Sequence, residues 1–358
     1  MARLKPTYSL TVGSLSSNTD TPAFGPRAFT VQRDMDIPAD ALHIRMLERA
    51  GINLDDEVSL ELGFDGENEP VFKGKVVKIR PALDGLSIYA LGKMNDLLNL
   101  RTASTYEGQS AGAIVSDLVG QAGLESGTLD DGSTLPRFAV DRRVSAFAHA
   151  KGLADRLGYE LYANRDGAVM FHALGDAAGL DAAAGGLLGA AAGALESAAA
   201  ALLGGGGSEG YAFGQHLLAS QASRRSSPWG TVKVGGESPM SSQGDSASHW
   251  LTVNDSDFQG QAGSGSPEIL FLDQAARSKD LADRFAAGQM AVIQRTANQV
   301  SLRVFGRPQV ELGDSLSASD APEELLNGAG YVRAIQHIFD DRLGFVTDLR
   351  VALNGGGG

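Results

Sequence analysis

The chain has 358 residues, 43% of them hydrophobic and 20% charged, with a formal net charge of −13 and no cysteine. That length holds about two to four domains able to bury a core. The acidic balance argues against a duplex nucleic-acid binder, which needs clustered Lys and Arg, and against electrostatic docking on anionic membranes. Without cysteine there are no disulfides, thiolate zinc sites or thiol nucleophile, which fits folding in a reducing cytosol. The N-terminus MARLKPTYSL is too polar for a signal peptide, so export is expected only within an assembled particle.

Thr7 to Val12 alternates polar and apolar residues and predicts a first strand. Past a loop rich in Ser, Thr and Pro, Phe29 to Asp34 predicts a second. Val58 to Phe64 alternates again, with Val58, Leu60 and Leu62 on one face. Pro70 to Ile79 and Leu86 to Leu91 flank the turn Leu83-Asp84-Gly85 and complete a meander. The first hundred residues therefore predict a small antiparallel barrel or sandwich.

The period then changes. Ser110 caps an expected helix from Ala111 to Ala122, with Ile114, Leu118 and Ala122 on one stripe and Gly123 as the stop. A second helix, Ser145 to Leu157, groups Phe147, Ala150, Ala154 and Leu157 and stops at Gly158. Tyr159 to Ala163 and Ala168 to His172 are strands around Asn164-Arg165-Asp166-Gly167, a turn that tolerates positive φ. Residues 176–210 are rich in Ala and Gly. The run Leu187 to Leu203 carries Glu196 and falls short of the roughly 20 residues of a membrane span. The segment reads as an inserted loop with a weak helix and a flexible Gly tail.

Tyr211 to Ala222 and Gly230 to Gly235 predict strands. Ser238 to Pro267 is polar and Gly/Ser-rich, with one candidate strand at His249 to Val253. Asp273 to Ile293 is a helix with Ala276, Leu281, Phe285 and Met290 available for burial. Val300 to Phe305, Ser315 to Ala318 and a closing hairpin follow, YVRAIQHIF and FVTDLRVAL around the turn DDRLG. Asn354 and Gly355 to Gly358 form a glycine tail.

The residue types of catalysis are present without an assignable catalytic set. Histidines 43, 149, 172, 216, 249 and 337 make no His-Glu-x-x-His and no shared metal pair, and His337 reads as a structural residue on a strand. Gly-x-Ser-x-Gly occurs at 108–112 and 206–210, with Ser110 read as the cap of the helix that follows. Gly92-Lys93 is not a phosphate loop, because Ser87 stands where its first Gly belongs and Met94 where Ser or Thr belongs. The acidic pairs Asp55-Asp56, Asp130-Asp131 and Asp340-Asp341 fall in predicted turns, which explains them without catalysis. They also lack the alternating ligands of a calcium loop. No catalytic, cofactor-binding or metal residue is assigned, and no enzyme is expected.

One ordered set of motifs is specific. Gly306-Arg307-Pro308, then Gly313-Asp314-Ser315, then the closing hairpin with Val332, His337 and Phe345-Val346-Thr347-Asp348-Leu349, resembles the end of phage late-control D proteins. Pro70 to Val76, Leu86 to Ala90 and Leu97-Leu98 resemble the passage closing that family's first barrel. Tyr106 to Ser110 with the helix Ile114 to Val119 is similar to its next step. Leu157-Gly158-Tyr159-Glu160-Leu161-Tyr162 and Arg165-Asp166-Gly167-Ala168-Val169-Met170-Phe171 resemble a hairpin shared with the N-terminal half of type VI secretion spike proteins.

The resemblance implies a mainly β fold with α+β insertions: two tube-like antiparallel β-barrel domains plus smaller lateral domains. Residues 1–101 would form the first barrel and 102–175 a lateral α+β domain. Residues 176–210 would be the Ala/Gly-rich insertion or linker, without counterpart in the family pattern. Residues 211–237 and 298–354 would make a split second barrel, with 238–297 inserted as a loop and helix domain and 355–358 as the tail. Thr231 to Val234 is accordingly expected to find its partners beyond the following loop and helix.

The implied function is a structural baseplate hub of a contractile tail or injection system. A homotrimer with two barrels per chain makes a pseudo-sixfold ring, adapting a hexameric inner tube to a trimeric spike. Implied partners are the trimeric spike protein, the hexameric tube or its initiator, other baseplate proteins, and a tape-measure protein or cargo in the lumen. Neither nucleic-acid specificity nor membrane insertion is expected. The particle would assemble in the cytoplasm, and phage tail, tailocin, type VI relative and extracellular injection system all remain open. After Asn354 there is no OB-fold, β-helix repeat or lysozyme-like domain, so the spike would be a separate protein unless the sequence is cut short before a spike domain. Two other classes stand beside it: a baseplate-associated cell-wall hydrolase, and a glycan-binding β-protein. The second has poor material, with 6% aromatics and its tryptophans at 229 and 250. Strands 70–79, 300–305 and 331–351 are the expected interface elements.

Overall fold

Alternation along the first hundred residues becomes a meander of seven strands, β1 (Pro6–Val12), β2 (Leu15–Asn18), β3 (Pro26–Asp34), β4 (Ala41–Met46), β5 (Glu57–Phe64), β6 (Glu67–Ala82) and β7 (Gly85–Gly92). This computed structural model describes residues 4–23, 25–47, 51–175, 209–213, 215–236 and 259–353. The residues that alternate inward, among them Leu10, Val31, Ile44, Leu60, Val76 and Ile88, form one core. β2 and β4 are absent from the sequence reading. β2 is Ser-rich and owes its state to pairing with β1. β4 is six residues whose alternation is too brief to stand out.

The chain then builds α1 (Met94–Asn99), β8 (Ser104–Ser110), α2 (Ala111–Gln121), β9 (Ser126–Leu129), β10 (Thr134–Val140), α3 (Ala146–Leu157), β11 (Glu160–Ala163) and β12 (Val169–His172). The expected caps are in place. Ser110 Oγ accepts from Ala113 N at 3.1 Å, Ser145 Oγ accepts from Ala148 N at 3.2 Å, and Gly158 ends α3 at φ 73°. In α2, a Cβ on Gly120 would meet nothing within 4 Å. Gly120→Ala is therefore expected to stabilise by about 0.5–1 kcal/mol through reduced chain entropy, read by urea unfolding.

The remaining elements are β13 (Glu209–Ala212), β14 (Leu217–Arg224), β15 (Thr231–Gly236), β16 (Gly260–Gly263), β17 (Glu268–Asp273), α4 (Lys279–Gln294), β18 (Asn298–Phe305), β19 (Ser315–Ser319), β20 (Gly328–Asp340) and β21 (Gly344–Leu353). Three details differ from expectation. The stretch 211–222 is two strands, because a turn bonds Gln215 N and His216 N back to Ala212 O. The helix expected from 273 starts at 279, since Asp273 ends a strand and Ser278 Oγ caps Leu281 N. β15 finds its partners before that helix, antiparallel to β16 and parallel to β17. The candidate strand 249–253, most of the Ala/Gly-rich segment and the glycine tail lie outside the described residues.

The large sheet runs β14-β18-β21-β20-β3-β4-β7-β6-β5-β1-β2. Its two halves share β20. Residues 334–340 pair with β3, the start of the strand pairs with β19, and β21 lies along the other edge. The second half has its own core, including Val300, Leu302, Val332, Ile335, Leu349 and Val351. The helices and small sheets form a lateral lobe around a third core that unites α2, α3 and α4. Within it α4 crosses α3 at glycines: a Cβ on Gly288 would lie 2.1 Å from Arg156 O. Among the described residues no helix is long and apolar enough to cross a membrane.

Candidate assembly surface and the ionic joint behind it

One face of the large sheet covers the cores, and the opposite face is open. Its registers form an unbroken row, Ala219–Arg303–Asp348–Gln336–Gln32–Ala41–Leu91–Lys75–Glu57, that crosses nine strands from β14 to β5. A neighbouring row is Phe305–Val346–Ile338–Thr30–His43–Tyr89–Lys78. Part of the charge on this face is paired. Arg303 donates two bonds of 2.6 Å to Asp348, a fork that fixes both side chains across β18 and β21. A shallow groove of about 460 Å³ lies over this part of the sheet, lined by Gln32, Gln336, Arg303 and Asp348 among others.

Behind the sheet, an ionic joint fastens the lateral lobe to both halves. Arg333 is 0% exposed and donates to Glu160, itself 1% exposed, at the start of β11. Its other nitrogen donates to Asp36 at 2.6 Å, in the β3–β4 loop. Tyr331 donates to the same Glu160 oxygen at 3.1 Å, and Arg295, just past α4, stands 3.1 Å from it. Arg350 adds bonds of 2.6 and 2.7 Å to Asp34 and Asp36. Burial and the nearby Glu160 push the Tyr331 hydroxyl up to about 12. Burial alone would raise Asp36, but the cations Arg333 and Arg350 hold it below the usual carboxylate value. Removing charge from water is costly, so these ions persist only because each has partners.

The singled-out motifs form a second set of contacts between the lateral lobe and the sheet. Gly306 N donates to Phe345 O, and Arg307 N donates to Thr347 Oγ1 at 2.9 Å. Gly313 N donates to Val332 O and Asp314 O accepts from Val332 N, closing the loop on β20. Arg165, from the β11–β12 turn, donates to Pro308 O and Gln309 O and pairs with Glu311 at 2.6 Å. Arg33 reaches Ala163 O at 3.1 Å. The motifs are thus clasps that lock a lateral hairpin onto the sheet.

His337 is 1% exposed, with Nδ1 3.0 Å from Thr347 Oγ1. That hydroxyl oxygen already accepts from Arg307 N, so its proton is free to donate to Nδ1 of a neutral ring. Burial, with Arg33 and Arg165 nearby, drives the imidazole down to about 3. A depressed folded-state value leaves stability intact above the unfolded value of 6.5 and erodes it as pH falls from there toward 3. The expected result is a His337 ring that stays neutral at pH 5 in imidazole nitrogen NMR.

The other flagged residues sit in turns and caps. Asp55 adopts φ 67°, Asp340 Oδ1 accepts from Arg342 N and Leu343 N, and Asp131 accepts from Ser110 Oγ. His43 stacks on Tyr89 at 4.5 Å, His149 bonds near Asp141, and His172 faces the Tyr162 hydroxyl at 3.0 Å. His216 Nδ1 accepts from Ala212 N, and His249 lies outside the described residues. Among the described residues no group of three or more His, Asp and Glu is placed to hold a metal. Arg333 and Glu160 are the important residues that local patterning misses, since their meaning depends on contact across 173 residues.

A mostly β chain, with one large curled antiparallel sheet and small lateral modules, has the fold of phage tail proteins. The 43 kDa tail protein of prophage MuSo2 from Shewanella oneidensis shares 13% identity with this chain. It matches 98% of this chain and 99% of its own length at a TM-score of 0.66. The tail protein from Neisseria meningitidis MC58 matches at 0.66 and 12% identity, over 98% and 97% of the two chains. The E. coli c3393 protein is a component of the type VI secretion system with structural similarity to the T4 tail proteins gp27 and gp5. It matches at 0.55 and 8% identity, over 97% of this chain and 77% of its own. No protein-family model and no curated protein matches the sequence.

Proposed function

We propose that this chain is a structural baseplate hub, a homotrimer that adapts a hexameric inner tube to a trimeric spike. The observation that carries the reading is the open row crossing nine strands, which runs from one half of the sheet into the other without a linker. The halves act as two tube-like barrels: residues 1–101, and the strands β13, β14 and β18 to β21. The lateral domains, 102–175 and the unit around α4, brace them from outside through the ionic joint. Three copies present six barrels to a sixfold tube while keeping threefold symmetry for the spike. The work is mechanical and calls for no catalytic centre. Phage tail and type VI neighbours that match 97–98% of this chain favour this context, and the spike and baseplate proteins are its partners.

The test is mass by light scattering on the full chain, with negative-stain averages of the same sample. Three copies in a ring with a central channel are expected. A monomer that stays monomeric with the spike protein, and binds neither spike nor tube, overturns the proposal.

A further inference from the structure

Two corners of the large sheet are left unsatisfied, and they complement each other. Beyond Lys75, β6 keeps β7 on one edge but has no strand on the other among the described residues. This free stretch carries Lys78 and Arg80, and Arg45 lies in the same register row, Arg80–Ser87–Arg45. None of the three cations has a carboxylate partner among the described residues. On a chain of net charge −13 that is a local excess of positive charge, with Asp84 four residues beyond Arg80 and Glu48 three beyond Arg45 in sequence. At the tip, Leu83 is 109% exposed.

At the opposite end of the strand order, β14 is an edge strand with no proline to blunt it. Beside it lies a groove of about 540 Å³, lined by Ser223, Arg224, Asn298, Glu323, Glu324 and Leu353 among others. Neither glutamate has an ion-pair partner among the described residues, and Arg224 pairs with neither. Their loop is held in position by Asn327, whose side chain accepts from Ala321 N at 2.9 Å and donates to Ala321 O at 3.0 Å.

The register keeps these corners apart within one chain. The row through Arg80 and Arg45 continues by Ala28 to Asp340 and Gly344, the start of β21. The groove lies at Leu353, the far end of that strand. Ten residues of strand are about 30 Å, and the strands between add further separation. One copy therefore cannot fill its own groove from its own arm.

We propose that the β6–β7 arm of one copy docks in the acidic groove beside β14 of the next, with Lys78 and Arg80 against Glu323 and Glu324. Leu83 covers Leu353 in this contact. It joins two different surfaces head to tail, the kind that closes into a ring when the rotation permits. The inference rests on the homotrimer reading and names the surface that makes it.

The experiment is charge reversal in the full chain, read by light scattering, with circular dichroism confirming that each variant folds. Lys78→Glu with Arg80→Glu, and separately Glu323→Lys with Glu324→Lys, are each expected to weaken self-association at least tenfold. The chain carrying all four substitutions is expected to recover the trimer, because the contact then has both charges inverted. If the unsubstituted chain is trimeric and either pair leaves it so, or the fourfold variant fails to recover it, the docking is wrong. An unsubstituted chain that never assembles overturns the homotrimer itself, and the docking with it.

Discussion

Arg333→Met is expected to destabilise the protein by about 3–5 kcal/mol, the cost of leaving a buried charge without its partner. The substitution keeps the volume and removes the cation that Glu160 and Asp36 share. Glu160 would retain Arg295 at 3.1 Å and the Tyr331 hydroxyl, but both are already committed to a geometry built around Arg333. Adding Glu160→Met is expected to recover much of the loss. Asp36 then still has Arg350, and Arg295 still has Asp155 at 3.4 Å and Tyr159 O. Urea unfolding of the two variants and the parent decides the matter: a double variant no better than the single one contradicts this account. A pH signature accompanies it. A depressed carboxyl contributes stability above its unfolded value, 3.8 for Asp36, and loses it as pH falls through the folded value. That acid-sensitive share is expected to shrink in Arg333→Met.

Gly288→Val is expected to separate the lateral lobe into two loosely held parts, at about 3 kcal/mol, the upper range for overpacking. The clash is with backbone: a Cβ would stand 2.1 Å from Arg156 O and 2.7 Å from Gly158 N. No rotamer change relieves it, so α3 and α4 must move apart. That movement also strains the Arg156–Asp273 ion pair and the bond from Arg295 to Tyr159 O. Hydrogen exchange is the readout. Amides of α3 and α4 are expected to lose protection, while β18, β20 and β21 keep theirs. Equal protection in both regions would refute the glycine crossing as the fastening of the lobe.

Elements with a local signature were legible from sequence. The Val58, Leu60 and Leu62 stripe marks β5, the serines at 110 and 145 mark two helix starts, and Gly158 marks a stop. What escaped is partner choice, because pairing across the chain leaves no local trace. β15 alternates like any strand, and nothing in Thr231 to Val234 says that residues 260–263 and 268–273 will flank it. β17 was missed although Gly263 to Pro267 signals a turn before it, because its end at Asp273 runs into the segment read as helix. Arg333 shares the inward parity of Ile335, but its partners Glu160 and Asp36 come from distant parts of the chain. The candidate surface was partly legible, since the closing hairpin was singled out by motif. Its role as the strand shared by both halves was not, because β3 contains no hint of its partner.

That shared strand also sets a timetable for synthesis. β3 emerges from the ribosome early, yet the strand it pairs with comes much later, and Asp36 waits for an arginine 297 residues further on. At roughly 5–20 residues per second, that is a delay of about 15–60 s. Until β20 arrives, the edge of β3 is an open template that invites wrong pairing. The hairpin translated near the end acts as the latch that makes the early strands final.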